Sequence, residues 1–418
     1  MREMKDSGIE WIGQIPERWQ LRRAKTLFAQ RNSKGNRIEV LLSPTQKYGV
    51  VPQSQLEGVV QVKEDTDLQM FKTVHKGDFV ISLRSFQGGF EYSLYEGVCS
   101  PAYQVFYPTT PICDTYYRYL FKSQSFISKM NNLTVGIREE KNIQYVDFAN
   151  SQIPVPPLAE QDRIAAFLDA ECAEIDAVLE KTRASIEEYK KLKQAVITQA
   201  VTKGVRGDRP MKDSGIEWIG DIPAEWDVLS LVAHTSMLTP MRDRPENLDG
   251  PIPWVRIEDF EGKYIESSKA GLGVSMKTVK EMNLKVYPVG TILCTSSCIM
   301  GKCAIVSREL VSNQRFIGII PDRTTDKTYL YYLMTSNAER MNFLSTGALQ
   351  ANLSRSAFEH LKVQFPPYSE QQEIVAYLDD KCEKIDALIA RKQQYLTEIE
   401  NYKKSLIYEY VTGKKEVR

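Results

Sequence analysis

The chain has 418 residues, 42% of them apolar, which at roughly 100–200 residues per domain allows two to four domains and more than one core. Its 54 basic and 54 acidic side chains cancel, which argues against a protein that grips a polyanion over its whole surface. No apolar run approaches the ~18 residues of a membrane span, and the opening MREMKDSGIEW lacks the apolar stretch of a secretory signal, so a cytoplasmic protein with no membrane partner is expected.

Residues 1–19 form a lead-in that matters because it returns. MKDSGIEWIGQIPERW at 4–19 recurs as MKDSGIEWIGDIPAEW at 211–226, identical at 13 of 16 positions with an offset of 207. Chance does not give this, and the chain divides into two copies of one unit of about 210 residues. Trp11 and Trp218 recur in both lead-ins and are expected to pack against helices rather than stack on bases.

Residues 20–153 make the first of two divergent domains. They carry 16 basic and 12 acidic side chains, a net of +4, which is permissive for a nucleic-acid partner. Gly77–Leu83 (GDFVISL) and Ala102–Tyr107 read as strands, and Thr115–Asn131 as a helix.

Residues 154–205 hold the clearest periodicity. Pro156-Pro157 blocks an earlier helix start, and Gly204 suits its end. Between them Leu168, Cys172, Ile175, Leu179, Thr182, Ile186, Tyr189, Lys193, Val196 and Ala200 step by alternating four and three residues, a heptad seam with a few polar breaks. A helix of about 44 residues would be roughly 65 Å long. Leu168, Ile175, Leu179 and Ile186 are its expected pairing residues.

Residues 206–226 are the second lead-in, and 227–364 the second divergent domain, with 16 basic and 14 acidic side chains for a net of +2. Gly290–Thr295 and Arg315–Ile320 read as strands, and Thr328–Phe343 as a helix. Residues 365–418 repeat the arm: PPYSEQQEIVAYLDDKCEKIDALI at 366–389 matches 12 of 24 positions of 156–179. Its seam runs Leu378, Cys382, Ile385, Ile389, Lys392, Leu396, Ile399, Lys403, Leu406 and Tyr410, and Gly413 closes it. Leu378, Ile385, Ile389 and Leu396 are the pairing residues expected here.

An apolar stripe on each arm needs cover, and pairing the two within one chain supplies it. The expected fold class is therefore α+β: two pseudo-symmetric mixed α/β domains separated by two long antiparallel helices that form a coiled coil. The lead-in follows the first arm directly, and its other copy opens the chain as if following the second arm. Met1 and Arg418 are thus expected on one side of the molecule.

Catalytic machinery is sought and not found. Gly301-Lys302 is followed by Cys303 and lacks the upstream glycine of a phosphate loop. Phe365 precedes Pro366-Pro367-Tyr368 where an amino-methyltransferase motif has Asn, and Gly271-Leu272-Gly273 stands apart from any strand that would suit S-adenosylmethionine. His75, His234 and His360 are scattered. Cys294, Cys298 and Cys303 cluster without a CxxC pair or a nearby His, so buried thiols are expected there and no metal site. Glu160-Gln161 and Glu370-Gln371 fall in the first turn of their helices, where a carboxylate meets the positive dipole end.

The order of lead-in, variable domain and PPxxEQ helix, given twice, resembles the specificity subunits of type I restriction–modification enzymes. The residues that carry it are Gly8–Trp11 with Ile15-Pro16, Pro156–Gln161 with Ile175-Asp176, and their second copies. Pro253–Asp259 and Asn313-Gln314 also look like parts of such variable domains. The resemblance spans essentially the whole chain and implies a non-catalytic DNA-binding subunit that binds no cofactor. Each variable domain would read one half of a split, asymmetric target on double-stranded DNA, and the helices would set the spacer. Two methylation subunits would bring S-adenosylmethionine, and restriction or translocating subunits ATP and Mg2+.

Candidate base-reading residues lie in loops where the copies differ: Arg84, Ser85, Gln87, Arg138 and Lys141 in the first domain; Arg256, Lys302, Gln350, Asn352 and Arg355 in the second. A coiled-coil scaffold with two protein-binding domains and no DNA readout is the competing reading. A self-contained restriction–methylation enzyme is a second, opposed by the missing motifs.

Overall fold

The structure is a computed structural model that describes residues 2–34, 40–56, 68–82, 89–133, 143–240, 244–297, 301–344 and 353–417. It separates into two compact units, residues 1–183 with 394–418, and residues 184–393. Each arm helix therefore gives its first part to one unit and its last part to the other.

The first unit is built on an antiparallel sheet of four strands in the order Phe28–Arg31, Gln104–Pro108, Phe79–Ile81, Phe90–Tyr92. Helices Asp114–Lys122, Gln124–Leu133 and Tyr145–Asn150 close it. Between sheet and helices lies an aromatic core in which Phe28, Phe79, Phe90, Phe106, Phe121, Phe126 and Phe148 are buried against one another, with ring centroids 4.5 Å apart for Phe106 and Phe148. Such a core has little shape freedom: each ring fills a volume that a smaller residue would leave empty. A separate strand pair, Gln20–Arg23 with Gln152–Val155, joins the start of the domain to its end and delivers the chain to the arm.

The second unit repeats this plan with different filling. Its main sheet runs Thr235–Leu238, Phe316–Pro321, Ile292–Thr295, Cys303–Val306, Tyr264–Ile265, the last strand parallel to its neighbour. A three-stranded sheet, Gly273–Val274, Ile252–Val255 and Val311–Ser312, is added beside it. Helices Lys327–Ser336, Ala338–Leu344 and Arg355–Glu359 take the places of the first unit's three. Asp227–Ser230 with Lys362–Phe365 is the joining pair.

The strands expected from β-branched and aromatic runs are present: Phe79–Ile81, Gln104–Pro108, Ile292–Thr295 and Phe316–Pro321. The two helices expected over Thr115–Asn131 and Thr328–Phe343 are each broken in two, which corrects that reading. Ser123 takes an extended conformation and its Oγ donates to the carbonyl of Leu120 at 2.7 Å. Asn337 Nδ2 donates to the carbonyl of Leu333 at 2.8 Å. Short polar side chains that bond the last carbonyls of a turn end a helix there.

The arm helices run from Leu158 to Lys203 and from Tyr368 to Val411, 46 and 44 residues. Both begin directly after their Pro-Pro pairs, because proline lacks the N–H a helix interior needs. Both end at glycines with positive φ, +73° at Gly204 and +72° at Gly413, a conformation a side chain would strain. In the first unit Leu168, Leu179 and Leu406 are buried, Ile175 packs against the same core, and Phe167 packs tilted against Tyr410 with centroids 4.4 Å apart. Lys403 holds Asp176 at 2.6 Å and Arg183 holds Glu400 at 2.5 Å, so the chain numbers run in opposite directions along the pair. Leu396 is half-buried in the first unit, and in the second unit Leu378, Cys382, Ile385 and Ile186 are buried, Ile389 half-buried, and Lys193 holds Asp386 at 2.6 Å. Lys193–Asp386 is the contact Lys403–Asp176 made again with the helices exchanging roles.

Met1 and Arg418 lie outside the described residues. Their neighbours meet within the first unit: Lys414 Nζ donates to the carbonyl of Ile12, and the phenol of Tyr116 to that of Val411 at 2.7 Å. In the second unit the second lead-in likewise meets the end of the first arm, through a different bond, with Arg209 Nη2 donating to the carbonyl of Lys203 at 3.0 Å.

Candidate nucleic-acid interface

Two regions of each unit carry polar side chains in unusual numbers: the point where the arm begins, and the open end of the main sheet. They do different work.

At the start of each arm the carboxylate is buried rather than merely set at a helix end. Glu370 is 0% exposed; Arg209 Nη1 lies 2.6 Å from its Oε1, and the indole of Trp226 donates to its Oε2 at 3.0 Å. The Arg209 guanidinium also lies over the Trp226 ring, 5.2 Å from its centroid. In the first unit Arg2 lies 2.5 Å from Glu160 and 5.2 Å above the ring of Trp19, the same ion pair and ring contact built from the first lead-in, but the indole N–H of Trp19 is buried with no hydrogen-bond partner among the described residues. The neighbouring glutamines lock the domain helices. Gln161 accepts from the backbone N–H of Cys113 at 3.0 Å, and Gln371 from that of Asp326 at 2.7 Å, each while donating to the carbonyl of its own Pro156 or Pro366. This is why EQ recurs in both copies: one residue anchors the lead-in and the other the start of the domain's first long helix. The dipole argument found the position and missed the partners. Trp11 packs edge-on against Phe126 at 5.6 Å, and Trp218 sits under the guanidinium of Arg340 at 3.9 Å.

At the sheet end of the second unit, Arg256 and Lys302 come together. Arg256 leads a short helical turn, Ile257–Asp259; its backbone N–H donates to Asp259 at 2.6 Å and its guanidinium lies 3.0 Å from Glu258. Lys302 returns from the tip of the hairpin Ile292–Thr295/Cys303–Val306, and its ammonium reaches the carbonyl of Ile257 at 3.4 Å. Arg355 starts the helix Arg355–Glu359 and pairs with Glu359 at 2.7 Å. It is tied to the same tip, because the N–H of Leu353 donates to the carbonyl of Ser296 at 2.9 Å. Gln350 and Asn352 lie outside the described residues.

Sequence reasoning missed Arg315. Its carbonyl accepts from the N–H of Ser296 at 2.8 Å and its own N–H donates to Asn313 Oδ1 at 3.0 Å, so its exposed side chain leaves from the hairpin tip. Among the described residues no carboxylate pairs with Arg315 or Lys302, which leaves two cations available to an outside anion. The signal was present in the sequence: Arg315 adjoins the Asn313-Gln314 pair. Cys294 and Cys303 face each other across this hairpin as buried thiols, Sγ to Sγ 2.7 Å, and Cys298 is outside the described residues. Among the described residues no group of His, Cys, Asp or Glu could hold a metal.

In the first unit Arg84, Ser85, Gln87, Arg138 and Lys141 all lie outside the described residues. The hairpin that leads to the first three is closed by the N–H of Ser82 donating to the carbonyl of Gly89 at 2.8 Å. Three amides of this sheet end are bonded to one another. Gln30 Nε2 donates to Gln104 Oε1 at 2.8 Å, and Asn32 Nδ2 approaches Gln30 Oε1 at 3.4 Å. Lys72 donates to the carbonyl of Tyr103 at 2.6 Å; burial pulls its ammonium below the usual lysine range, Cys99 raises it, and nearby Lys34 lowers it further. Arg31 is occupied elsewhere, bidentate on Asp78 at 2.7 and 2.9 Å and over the ring of Tyr107.

Comparison with known proteins agrees with this doubled plan. The model of the type I restriction modification DNA specificity domain matches twice, over residues 16–188 and 235–401. The chain is 35% identical over 176 residues to the MjaIX type I restriction enzyme specificity subunit of Methanocaldococcus jannaschii, a match that spans 40% of each chain. It is 25% identical over 431 residues to the putative MjaX specificity subunit of the same organism, 97% of this chain and 96% of that one. A chain from a solved structure concerned with complex assembly and conformational transition of the type I R-M system shares the fold, with a TM-score of 0.72 at 15% identity over 95% of this chain and 98% of its own.

Proposed function

The chain belongs to the family of type I restriction–modification DNA specificity subunits, and on that premise we propose how it works. Each unit reads one half of a split, asymmetric target on double-stranded DNA through the end of its main sheet. The paired arms fix the number of unspecified base pairs between the halves. The chain itself performs no bond chemistry and holds no cofactor. Two methylation subunits, carrying S-adenosylmethionine, dock on it and modify one adenine in each half, and restriction or translocating subunits that use ATP and Mg2+ complete the assembly.

The observation that carries this reading is the contrast between frame and sheet end. The anchors Glu160 and Glu370 and the arm contacts Lys403–Asp176 and Lys193–Asp386 are each made twice, whereas among the described residues the sheet ends differ, with Gln30, Asn32 and Gln104 bonded together in one unit and Arg256 and Lys302 gathered in the other. A frame repeated so closely around differing ends suits a molecule that reads two sequences at a set separation. Amides and cations at such ends suit base edges and phosphates respectively. The near-zero net charge fits a subunit whose partners share in holding the phosphates.

The test is a heptad inserted after Thr182 together with one after its counterpart Lys392, which keeps the two seams in register. Seven residues lengthen the pair by about 10 Å, roughly 3 base pairs. Mapping methylated adenines should then return both original half-sites with a longer spacer. A change in the half-site bases with the spacer unaltered would falsify the ruler. Absence of any sequence-specific shift when the chain and its methylation subunits meet duplex DNA would favour the scaffold reading.

A further inference from the structure

The two main sheets can be laid over each other strand by strand, and their registers match. Gln30 is directly opposite Phe106 in the first, as Met237 is opposite Ile319 in the second. Met237 and Ile317 therefore stand where Gln30 and Gln104 stand, and Thr239 where Asn32 does. In the second unit Met237 and Ile317 are 7% and 2% exposed and belong to its core. The fold is thus satisfied by apolar residues at these places. In the first unit it carries two half-buried amides instead, groups that cost free energy to remove from water unless they are bonded. A polar pair that the sister copy does without points to function rather than to folding.

The bonds among these amides have a direction. Lys72, 9% exposed and paired with no carboxylate among the described residues, approaches Gln104 Oε1 at 3.5 Å. Gln30 donates to that same oxygen, and its own Oε1 faces Asn32 Nδ2. The chain ends on an exposed side chain: one Nδ2 hydrogen of Asn32 points back into the relay, while its Oδ1 and second Nδ2 hydrogen have no partner among the described residues. An acceptor and a donor side by side in one plane complement the N6 amino group and N7 of adenine at the major-groove edge. Donation runs head to tail from Asn32 to Gln30 to Gln104, and Lys72, approaching the same Gln104 oxygen, holds that oxygen inward, so which end of each amide is oxygen is fixed along the row.

We propose that Asn32, oriented by Gln30 and Gln104, reads one adenine of the first half-site. Gln30 and Gln104 are positioning residues that touch no base. This rests on the reading above that the sheet end of the first unit faces DNA.

The experiment uses the full chain assembled with its methylation subunits and measures binding to duplexes in which each first-half-site base is replaced in turn. Asn32→Ala, and Asn32→Asp, which keeps the shape and removes the donor, should each abolish the preference for adenine at one position. That preference should fall about 5- to 100-fold, as expected for one bidentate contact, with the other positions and the second half-site unchanged. The double variant Gln30→Met with Gln104→Ile, which installs the residues the second sheet carries, should melt as the parent does and lose part of the same preference. An unaltered base profile in both Asn32 variants overturns the proposal, as does a uniform loss of affinity at every position. If exchanging residues 20–153 for those of another family member leaves the target unchanged, the underlying reading fails instead, so the two failures are distinct.

Discussion

The arm junctions and the sheet ends of this molecule face opposite demands, and the two copies show how each was met. At the junctions Arg2, Trp19 and Glu160 match Arg209, Trp226 and Glu370 residue for residue. At the sheet ends Gln30, Asn32 and Gln104 match Met237, Thr239 and Ile317, two of them apolar and none an amide. Each junction carboxylate is buried and bonded to its arginine, so a change in one leaves the other short of a partner. At the sheet ends the scaffold tolerates apolar and polar choices alike, as the proposed reading of DNA by these residues requires. A few buried polar anchors hold the frame, which frees the far end of each sheet to vary.

That contrast can be broken most forcefully at the anchors. Glu370→Ala leaves Arg209 with only the half-exposed Glu225, 3.1 Å away, in place of its buried carboxylate, and should cost about 3 kcal/mol, measured by urea unfolding. Glu160→Ala should cost a similar amount; a difference beyond about 2 kcal/mol would show that the junctions are not equivalent. Next come the seam residues. Leu168→Ala and Leu378→Ala, both fully buried, should each lose about 2–5 kcal/mol, and a loss below about 1 kcal/mol would mean that the arms pair without them.

The sheet ends should behave otherwise. Arg315→Ala should leave the melting temperature within error while weakening DNA binding by about 1–3 kcal/mol, with relaxed choice at the second half-site only. Weakened binding that is uniform across sequences would reassign Arg315 to a phosphate. The smallest effect is expected at the arm surface. Lys403→Ala removes an ion pair whose Asp176 is 59% exposed and should shift stability by less than about 1 kcal/mol, less still at high salt.

Much of the frame was legible in the sequence because repetition reports whatever two copies must share. The lead-ins, the Pro-Pro starts, the heptad seam and the closing glycines are local in the chain, and their spacing states their geometry. The roles of Glu160 and Glu370 were hidden because their partners Arg2 and Arg209 lie more than 150 residues away in sequence, and no period links them. The same holds for Gln30 and Gln104, brought together by strand register across 74 residues. The helix breaks at Ser123 and Asn337 went unread because a helix-neutral residue stops a helix only when its side chain turns back on the preceding turn, which spacing does not reveal. Of the candidate base-reading residues, Arg256, Lys302 and Arg355 are described and gather around one hairpin tip, while Arg84, Ser85, Gln87, Arg138, Lys141, Gln350 and Asn352 are not described.

The central claim is one frame holding two interchangeable readers, and duplicating a reader tests it most directly. A chain in which residues 20–153 replace 227–364, so that both units carry the first domain, should be assembled with its methylation subunits and its methylated adenines mapped. The account predicts a symmetric target, the first half-site followed by its inverted repeat with the spacer retained. An unchanged asymmetric target, or one in which the second half-site persists, would contradict it.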